Sequence, residues 1–312
     1  MLHLRVICAA ETTDRVLDTL RGEPGATHLT VLRGAAVDPA GDLIEADVAR
    51  EAADEVLSAL CAIGVDHTGG ITLEPLDTVL SDAADAAQRA APGDPADVVV
   101  WEELIVRSGD DSRLTVSFLA FLTLACLIAV VGVVTNFPVT VVGAMVVGPE
   151  FAPLAAIAVG LVVRRWDLVQ RAALALGIGF PLAMLIAAAG ALLAEWAGLF
   201  DWETVRSADQ VDFIYDVGVF SFLLALLAGA AGMLSLTSAK SAALVGVFIS
   251  VTTVPAAAFA VVAVTVGDWK TAVYSGTQLV VNLIGVVAAA FLVLTLYTRR
   301  YRGNFSRPLA QG

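Results

Sequence analysis

The chain has 312 residues, 58% of them hydrophobic, and its mean hydropathy of +0.82 is far above that of ordinary soluble domains. Residues 1–113 carry 22 acidic and 8 basic side chains, a net charge of −14, whereas the remaining 9 acidic and 10 basic side chains give +1. This division predicts an acidic soluble part followed by a membrane part. It excludes nucleic acid as a partner, because no basic patch is present to meet phosphate.

Strand and helix patterns alternate in the first 80 residues. Strand patterns cover Leu2–Cys8, His28–Leu32, Asp42–Val48 and Gly70–Leu76, and amphipathic helix patterns cover Glu11–Leu20 and Glu51–Ile63. The order β-α-β-β-α-β predicts an α+β ferredoxin-like domain over residues 1–80, placed in the cytosol. The three histidines lack ligand spacing and the three cysteines are scattered, so we expect no metal and no cofactor.

Residues 81–112 are rich in Ala, Asp and Pro and predict a linker or docking segment. Within it Val98–Val106 is apolar enough for either a docking strand or an interfacial helix. Residues 113–302 are then expected to form the membrane domain, followed by a cytosolic tail at 303–312.

Six apolar segments follow, each near the length that a bilayer requires, at about 114–134, 139–163, 169–194, 217–236, 241–266 and 271–297. With the N-terminus in the cytoplasm, ten basic residues in and around this domain lie inside and two outside. The positive-inside rule therefore predicts a multi-pass protein of the cell (inner or plasma) membrane with both termini cytoplasmic.

The second segment contains an interruption at its middle. Gly148, Pro149 and Pro153 lie around Glu150, close to the expected membrane midplane. Proline lacks a backbone N–H, and a carboxylate at this depth is tolerated only where it faces protein or water. The pattern predicts an interrupted helix with a buried acid.

The two halves of the membrane part resemble each other weakly at an offset of 103 residues. Gly143 corresponds to Gly246 and Trp166 to Trp269, and Pro153 falls one position from Pro255. Three segments in each half imply an inverted repeat. We therefore expect an all-α domain of six helices in a 3+3 inverted repeat, with a second interrupted helix at Thr252-Thr253-Val254-Pro255.

These motifs resemble a known family. Val142-Gly143-Ala144-Met145 through Gly148-Pro149 to Pro153, Val245-Gly246 through Pro255, and Val281-Asn282-Leu283 are similar to the signature of the domain of unknown function 389 family of prokaryotic hydrophobic membrane proteins. The resemblance implies a membrane location and a small α+β module before the spans. It implies no substrate. Glu150 stands where the family pattern has an apolar residue. The excess of arginine over lysine (only Lys240 and Lys270) separately indicates a bacterial source.

The candidate site combines the two interruptions with polar side chains of the last span. Gln278 and Asn282 lie four residues apart on one face. The full candidate set for binding a small solute or ion is Gly148, Pro149, Glu150, Pro153, Thr252, Thr253, Pro255, Gln278 and Asn282. The alternatives are a protonated or hydrogen-bonded Glu150, and hydrogen bonds between helices made by Gln278 and Asn282.

Two functions fit these patterns. The first is a transporter or channel for a small solute or ion, regulated by the cytosolic domain. The second is an oligomeric scaffold or sensor whose cytosolic domain binds a ligand or partner. The expected partners are the bilayer, other copies of the chain, through its small-residue helix surfaces, and the unknown solute or ion. No enzymatic activity is expected, since no nucleophile–base pair or HExxH motif is present.

Overall fold

The computed structural model describes residues 1–91, 101–199, 219–237 and 245–300. These residues divide into two compact units, Met1–Glu103 and Leu104–Arg300. Each unit has its own hydrophobic core.

The first unit is built on a small antiparallel sheet. Its strands are β1 (Leu2–Cys8), β2 (Ala26–Val37), β3 (Ala40–Val48) and β4 (Gly70–Pro75), in the order β2-β3-β1-β4. All three pairings are antiparallel, and Val6 of β1 lies between Ile44 and Ile71. Helices α1 (Thr13–Gly22), α2 (Ala53–Ile63) and α3 (Val65–Thr68) connect the strands. The strands and the two longer helices follow the predicted order.

Alternate residues of β1 and β3 build the core of this unit. Leu4 and Val6 are fully buried, as are Ile44 and Val48, because successive side chains on a strand point to opposite faces. Helices α1 and α2 contribute their apolar stripes to the same core, with Val16, Leu17, Leu20, Val56 and Leu60. Helix α2 ends where Gly64 adopts a left-handed conformation, with φ of 87°.

Two helices lie in the segment predicted as a linker. Helix α4 (Asp82–Ala90) begins at Ser81, whose hydroxyl accepts a hydrogen bond from the Ala84 amide, and it packs against β2. Helix α5 (Trp101–Asp111) includes the second half of Val98–Val106, so Trp101–Val106 is helical and the strand alternative is wrong for these residues. Residues 92–100 lie outside the described part of the chain.

The second unit consists of apolar helices. They are α6 (Val116–Val134), α7 (Pro138–Val147), α8 (Phe151–Val163), α9 (Trp166–Trp196), α10 (Val219–Thr237), α11 (Val245–Val266) and α12 (Trp269–Arg300). Four of them, α6, α9, α10 and α12, are long and apolar enough to cross a bilayer, and α7 with α8 forms a fifth candidate bent by 51°. In α11 the shorter stretch Thr253–Val266 is apolar.

The described residues thus contain four or five helices that indicate a membrane protein, whereas six spans remain a prediction. Large apolar side chains are exposed along these helices, as expected for contact with lipid; examples are Phe121, Leu185, Ile284 and Leu292.

One expected interruption is absent. Helix α11 runs without a break from Val245 to Val266 and holds Pro255 inside it. The prediction of two interrupted helices is therefore wrong for the second of them. A proline removes one backbone hydrogen bond and crowds the preceding turn, and tertiary packing on both sides can keep such a helix continuous. Pro255 is buried, and α11 packs against α6, α7, α9, α10 and α12.

Two helix connections in this unit share one geometry. After α8, Arg164 has a positive φ of 60° and the Arg165 amide donates to the Gly160 carbonyl at 2.8 Å. After α11, Gly267 has a positive φ of 81° and the Asp268 amide donates to the Ala263 carbonyl at 2.9 Å. Every residue of the second connection lies 103 positions after its counterpart. The following helices start at Trp166 and Trp269, at the same offset.

Candidate functional site

The site begins at the junction between α7 and α8. Gly148 ends α7 with an extended backbone (φ −64°, ψ 125°), Pro149 has no N–H to continue the helix, and Glu150 begins α8. Pro153 is compatible with α8 because it occupies the first turn, where the amide has no helical acceptor. The result is a bend of 51° with a carboxylate at its vertex.

Glu150 is almost completely buried and receives a hydrogen bond from another helix. Its side chain is 1% exposed, and the Thr253 hydroxyl of α11, 0% exposed, donates to Glu150 Oε1 at 2.6 Å. A hydrogen bond to a charged or polar group in a buried environment offsets part of the desolvation cost of that group. The positive end of the α8 dipole also lies at Glu150 and favours a negative charge there.

The Thr253 hydroxyl behaves differently from other threonine hydroxyls in the apolar helices. Those of Thr237, Thr265 and Thr277 donate to carbonyls three or four residues earlier in their own helix. The Thr253 hydroxyl donates across to α8 instead. This bond therefore ties two separate helices together at a buried acid.

A third helix contributes to the surroundings of Glu150. The Cys126 thiol on α6 is fully buried and lies close enough to interact electrostatically with the carboxyl group. The Thr252 side chain belongs to the part of the chain that the structure does not describe. The junction thus brings together Gly148, Pro149, Glu150, Pro153 and Thr253 from the candidate set.

Gln278 and Asn282 lie on α12 and are 4% and 1% exposed. The Gln278 side-chain amide donates to the Ser221 hydroxyl of α10. The structure gives no hydrogen bond between Gln278 and Glu150 among the residues it describes, although α12 packs against both α8 and α11. Gln278 therefore belongs to a separate group of polar side chains.

Sequence reasoning missed two members of that group. Ser275, 1% exposed, lies three residues before Gln278 on the same helix face, and this spacing was a usable signal. Ser221 is a single hydroxyl in an otherwise apolar run, Val219 to Leu227, and nothing in its spacing singled it out.

Histidines of the first unit pair with acids. His3 Nδ1 and His28 Nδ1 lie 2.9 and 2.7 Å from the two oxygens of Asp47, and His28 Nε2 lies 2.8 Å from the Ser81 hydroxyl. Among the residues that the structure describes, no group of three or more His, Cys, Asp or Glu side chains is placed to hold a metal ion.

Comparison with known proteins supports the family resemblance. A family model described as "Domain of unknown function (DUF389)" matches residues 145–288, which include Glu150, Thr253, Gln278 and Asn282. The resemblance deduced from the sequence motifs is thereby confirmed. No curated protein and no solved structure matches the chain.

Proposed function

We propose that this membrane protein is a transporter or channel for a small solute or ion, with its central site at Glu150 and Thr253. The observation that carries the proposal is the buried Glu150 carboxyl at the α7–α8 junction, hydrogen-bonded by the Thr253 hydroxyl. Carboxylates within membrane spans are costly to bury and commonly mark cation paths, substrate sites or proton relays. Interrupted helices at the midplane recur at the sites of secondary transporters.

The proposal includes a 3+3 inverted repeat that relates the two halves of the membrane part. The connections after α8 and α11 have similar geometry at an offset of 103 residues. The buried faces of α9 and α12 match at the same offset, for example Ala183 with Val286 and Ala187 with Ala290, all less than 1% exposed. In an inverted repeat the two-fold axis lies in the membrane plane.

Glu150 and Thr253 are themselves 103 positions apart and hydrogen-bond to each other. Two equivalent positions can touch only where they lie next to the axis that relates them. The contact therefore supports a site at the midplane, between the two halves of the proposed repeat. An alternating rearrangement of the two halves would make, break or expose this bond.

The chemistry of the site favours a cation or a solute carried together with a proton. An ionised carboxylate attracts a cation, and a neutral carboxylic acid can release its proton to a base. The Thr253 hydroxyl stabilises either form, because Glu150 Oε1 accepts its hydrogen in both. We propose no enzymatic reaction, since the sequence offers no nucleophile–base pair and no HExxH motif.

The first unit is proposed as a ferredoxin-like cytosolic module that regulates the membrane part. Its strand order, β2-β3-β1-β4 with antiparallel pairs, supports that fold. The proposal includes a bacterial inner or plasma membrane, cytoplasmic termini and a homo-oligomer, on the basis of basic-residue distribution and small-residue helix surfaces.

Flux into proteoliposomes tests the proposal. Wild-type protein is assayed against a panel of ions and metabolites beside Glu150→Gln, Thr253→Val and the matched control Thr265→Val, whose hydroxyl serves only its own helix. We expect flux of at least one solute in the wild type and in Thr265→Val, and its loss in Glu150→Gln. Absence of flux for every solute in the wild type would overturn the proposal and favour the scaffold or sensor function.

A further inference from the structure

A second group of buried polar side chains lies between α10 and α12. We call Ser275, Gln278 and Asn282 of α12, with Ser221 of α10, the α12 polar cluster. The three α12 side chains are 1%, 4% and 1% exposed, and their spacing of three and four residues places them on one helix face. Ser221 is half-buried and accepts a hydrogen bond from Gln278 Nε2.

Two polar atoms of this cluster are buried without a hydrogen-bond partner among the described residues. They are Gln278 Oε1 and Ser275 Oγ. Buried polar atoms in native proteins are almost always satisfied by protein or by water, because an unmade hydrogen bond carries the desolvation cost of the group. An acceptor and a hydroxyl that lie on one face and lack a partner within the described part of the chain point to a bound polar molecule.

The corresponding place in the first half is filled with apolar groups. At the offset of 103 residues, Ser275, Gln278 and Asn282 correspond to Ala172, Ala175 and Gly179, and Ser221 corresponds to Phe118. The Phe118 ring packs against Gly179 so closely that a Cβ there would lie 2.8 Å from Phe118 Cε1. The helix packing shared by both halves therefore does not require polar groups. The α12 polar cluster is a feature of the second half alone.

We propose that the α12 polar cluster is a binding site for a small uncharged polar ligand, either water or a solute that presents a hydroxyl or amide group. Its described members offer hydroxyls and carboxamides, which both donate and accept, and carry no charge. Ser275 lies six residues from the start of α12, about 9 Å along its axis. Ser275 is thus nearer to the Trp269 end of the helix than to its middle. The test of this site does not depend on net transport.

Cysteine reactivity tests the site with a matched control. Ser275→Cys and its counterpart Ala172→Cys are introduced one at a time into the full-length protein in liposomes and exposed to the neutral reagent hydroxyethyl methanethiosulfonate. Modification is read by mass spectrometry of the peptide that carries the new cysteine, so Cys8, Cys61 and Cys126 stay in place. Both positions are buried, 1% and 0% exposed, so a dry packed interior would protect them equally.

We expect Ser275→Cys to be modified at least about tenfold faster than Ala172→Cys. A site that admits polar molecules avoids the free-energy cost of leaving a buried polar group without a hydrogen bond, and this cost corresponds to a rate difference of about that factor. The cationic reagent trimethylammonioethyl methanethiosulfonate should show no such preference. Equal rates at the two positions with the neutral reagent would overturn the site. Equal rates of the neutral and cationic reagents at Ser275→Cys would overturn its assignment to uncharged ligands.

A second pair of variants provides the same test if Ser275→Cys or Ala172→Cys does not fold. Gln278→Cys is compared with Ala175→Cys, its counterpart on α9, after both elute from size exclusion as wild type does. The same preference for the second-half position is expected. In Ser275→Cys, adding Gln278→Leu should slow modification, because it removes the acceptor that we assign to the bound molecule. An unchanged rate would contradict that role of Gln278.

Discussion

The Thr253 hydroxyl donates a 2.6 Å hydrogen bond to Glu150 Oε1, and the two residues are separated by 103 positions, the offset that also relates the helix connections at Arg164 and Gly267. The bond joins α11 to the start of α8, where the chain bends by 51°. A buried acid, an interrupted helix and a contact between residues 103 positions apart thus coincide.

Removing this hydroxyl should destabilise the membrane unit. Thr253→Val keeps the shape of the side chain but leaves the Glu150 carboxyl with one hydrogen bond fewer, at an expected cost of about 1–3 kcal/mol. Thr253→Ser retains the donor and should cost less. Thermal unfolding in detergent, followed by size exclusion, measures the difference. A Thr253→Val protein as stable as wild type would show that the bond contributes nothing.

Helices α10 and α12 approach each other closely at Gly229, so a larger residue there should destabilise the protein. A Cβ there would lie 2.4 Å from the Val286 carbonyl oxygen, so Gly229→Ala forces the two backbones apart. We expect a loss of about 1–3 kcal/mol, the usual range for overpacking. Gly143→Ala on α7 is the control, since nothing lies within 4 Å of its added methyl group. It should be neutral or stabilising in the same thermal assay, and equal effects of both substitutions would refute the close approach.

In the first unit, Asp42 should stabilise the β2–β3 pairing in a pH-dependent way. The Thr13 hydroxyl at 2.7 Å and the Gly34 amide at 2.8 Å donate to its carboxylate. These hydrogen bonds, with Arg33 nearby, hold the pKa of Asp42 below its usual value although burial opposes them. A depressed pKa means that the stabilisation is present above the unfolded pKa of about 3.9 and is lost as the pH falls through the folded pKa.

Hydrogen exchange of the β2 and β3 amides in full-length protein measures this effect. Asp42→Asn should exchange faster than wild type at pH 7, and the difference should shrink only below about pH 4. Asp77→Asn, at an exposed position, serves as control and should match wild type. A difference that disappears between pH 7 and pH 5 would point to another titrating group.

If the two halves form an inverted repeat, the turns at Asp167 and Asp268 lie on opposite sides of the membrane. Asp167 follows Trp166 and Asp268 precedes Trp269, and both side chains are exposed. In intact cells, a membrane-impermeant thiol reagent should label Asp268→Cys and should label Asp167→Cys only after permeabilisation. Labelling of both from the same side would exclude the inverted arrangement.

Local patterns predicted most of the first unit, because alternation and helical spacing are set by residues close in the chain. Leu2–Cys8 is a strand and α2 ends at Gly64, as Gly at a helix end indicates. The helix at Trp101–Asp111 was ambiguous, since a short apolar run fits either strand or helix. Pro255 shows the limit more clearly, because continuity of α11 depends on its neighbours, which no local pattern contains.

For the candidate site, the interruption around Glu150 was predictable from Gly148, Pro149 and Pro153, which act on their own backbone. The partner of Glu150 was not, since hydrogen bonds between helices depend on rotation and depth. Thr253 was in the candidate set as part of the second expected interruption, and its hydroxyl donates to Glu150. Gln278 is bonded to Ser221, which only the packing of α10 on α12 brings near.

A double-mutant cycle on flux tests the central claim that Glu150 and Thr253 form one transport site. Flux of the transported solute is measured in proteoliposomes for wild type, Glu150→Gln, Thr253→Val and the double variant, at equal protein incorporation. If the carboxyl and the hydroxyl act together, each single substitution lowers flux and the double variant is no slower than the slower single variant. If the two losses multiply, the residues act independently and the account is contradicted.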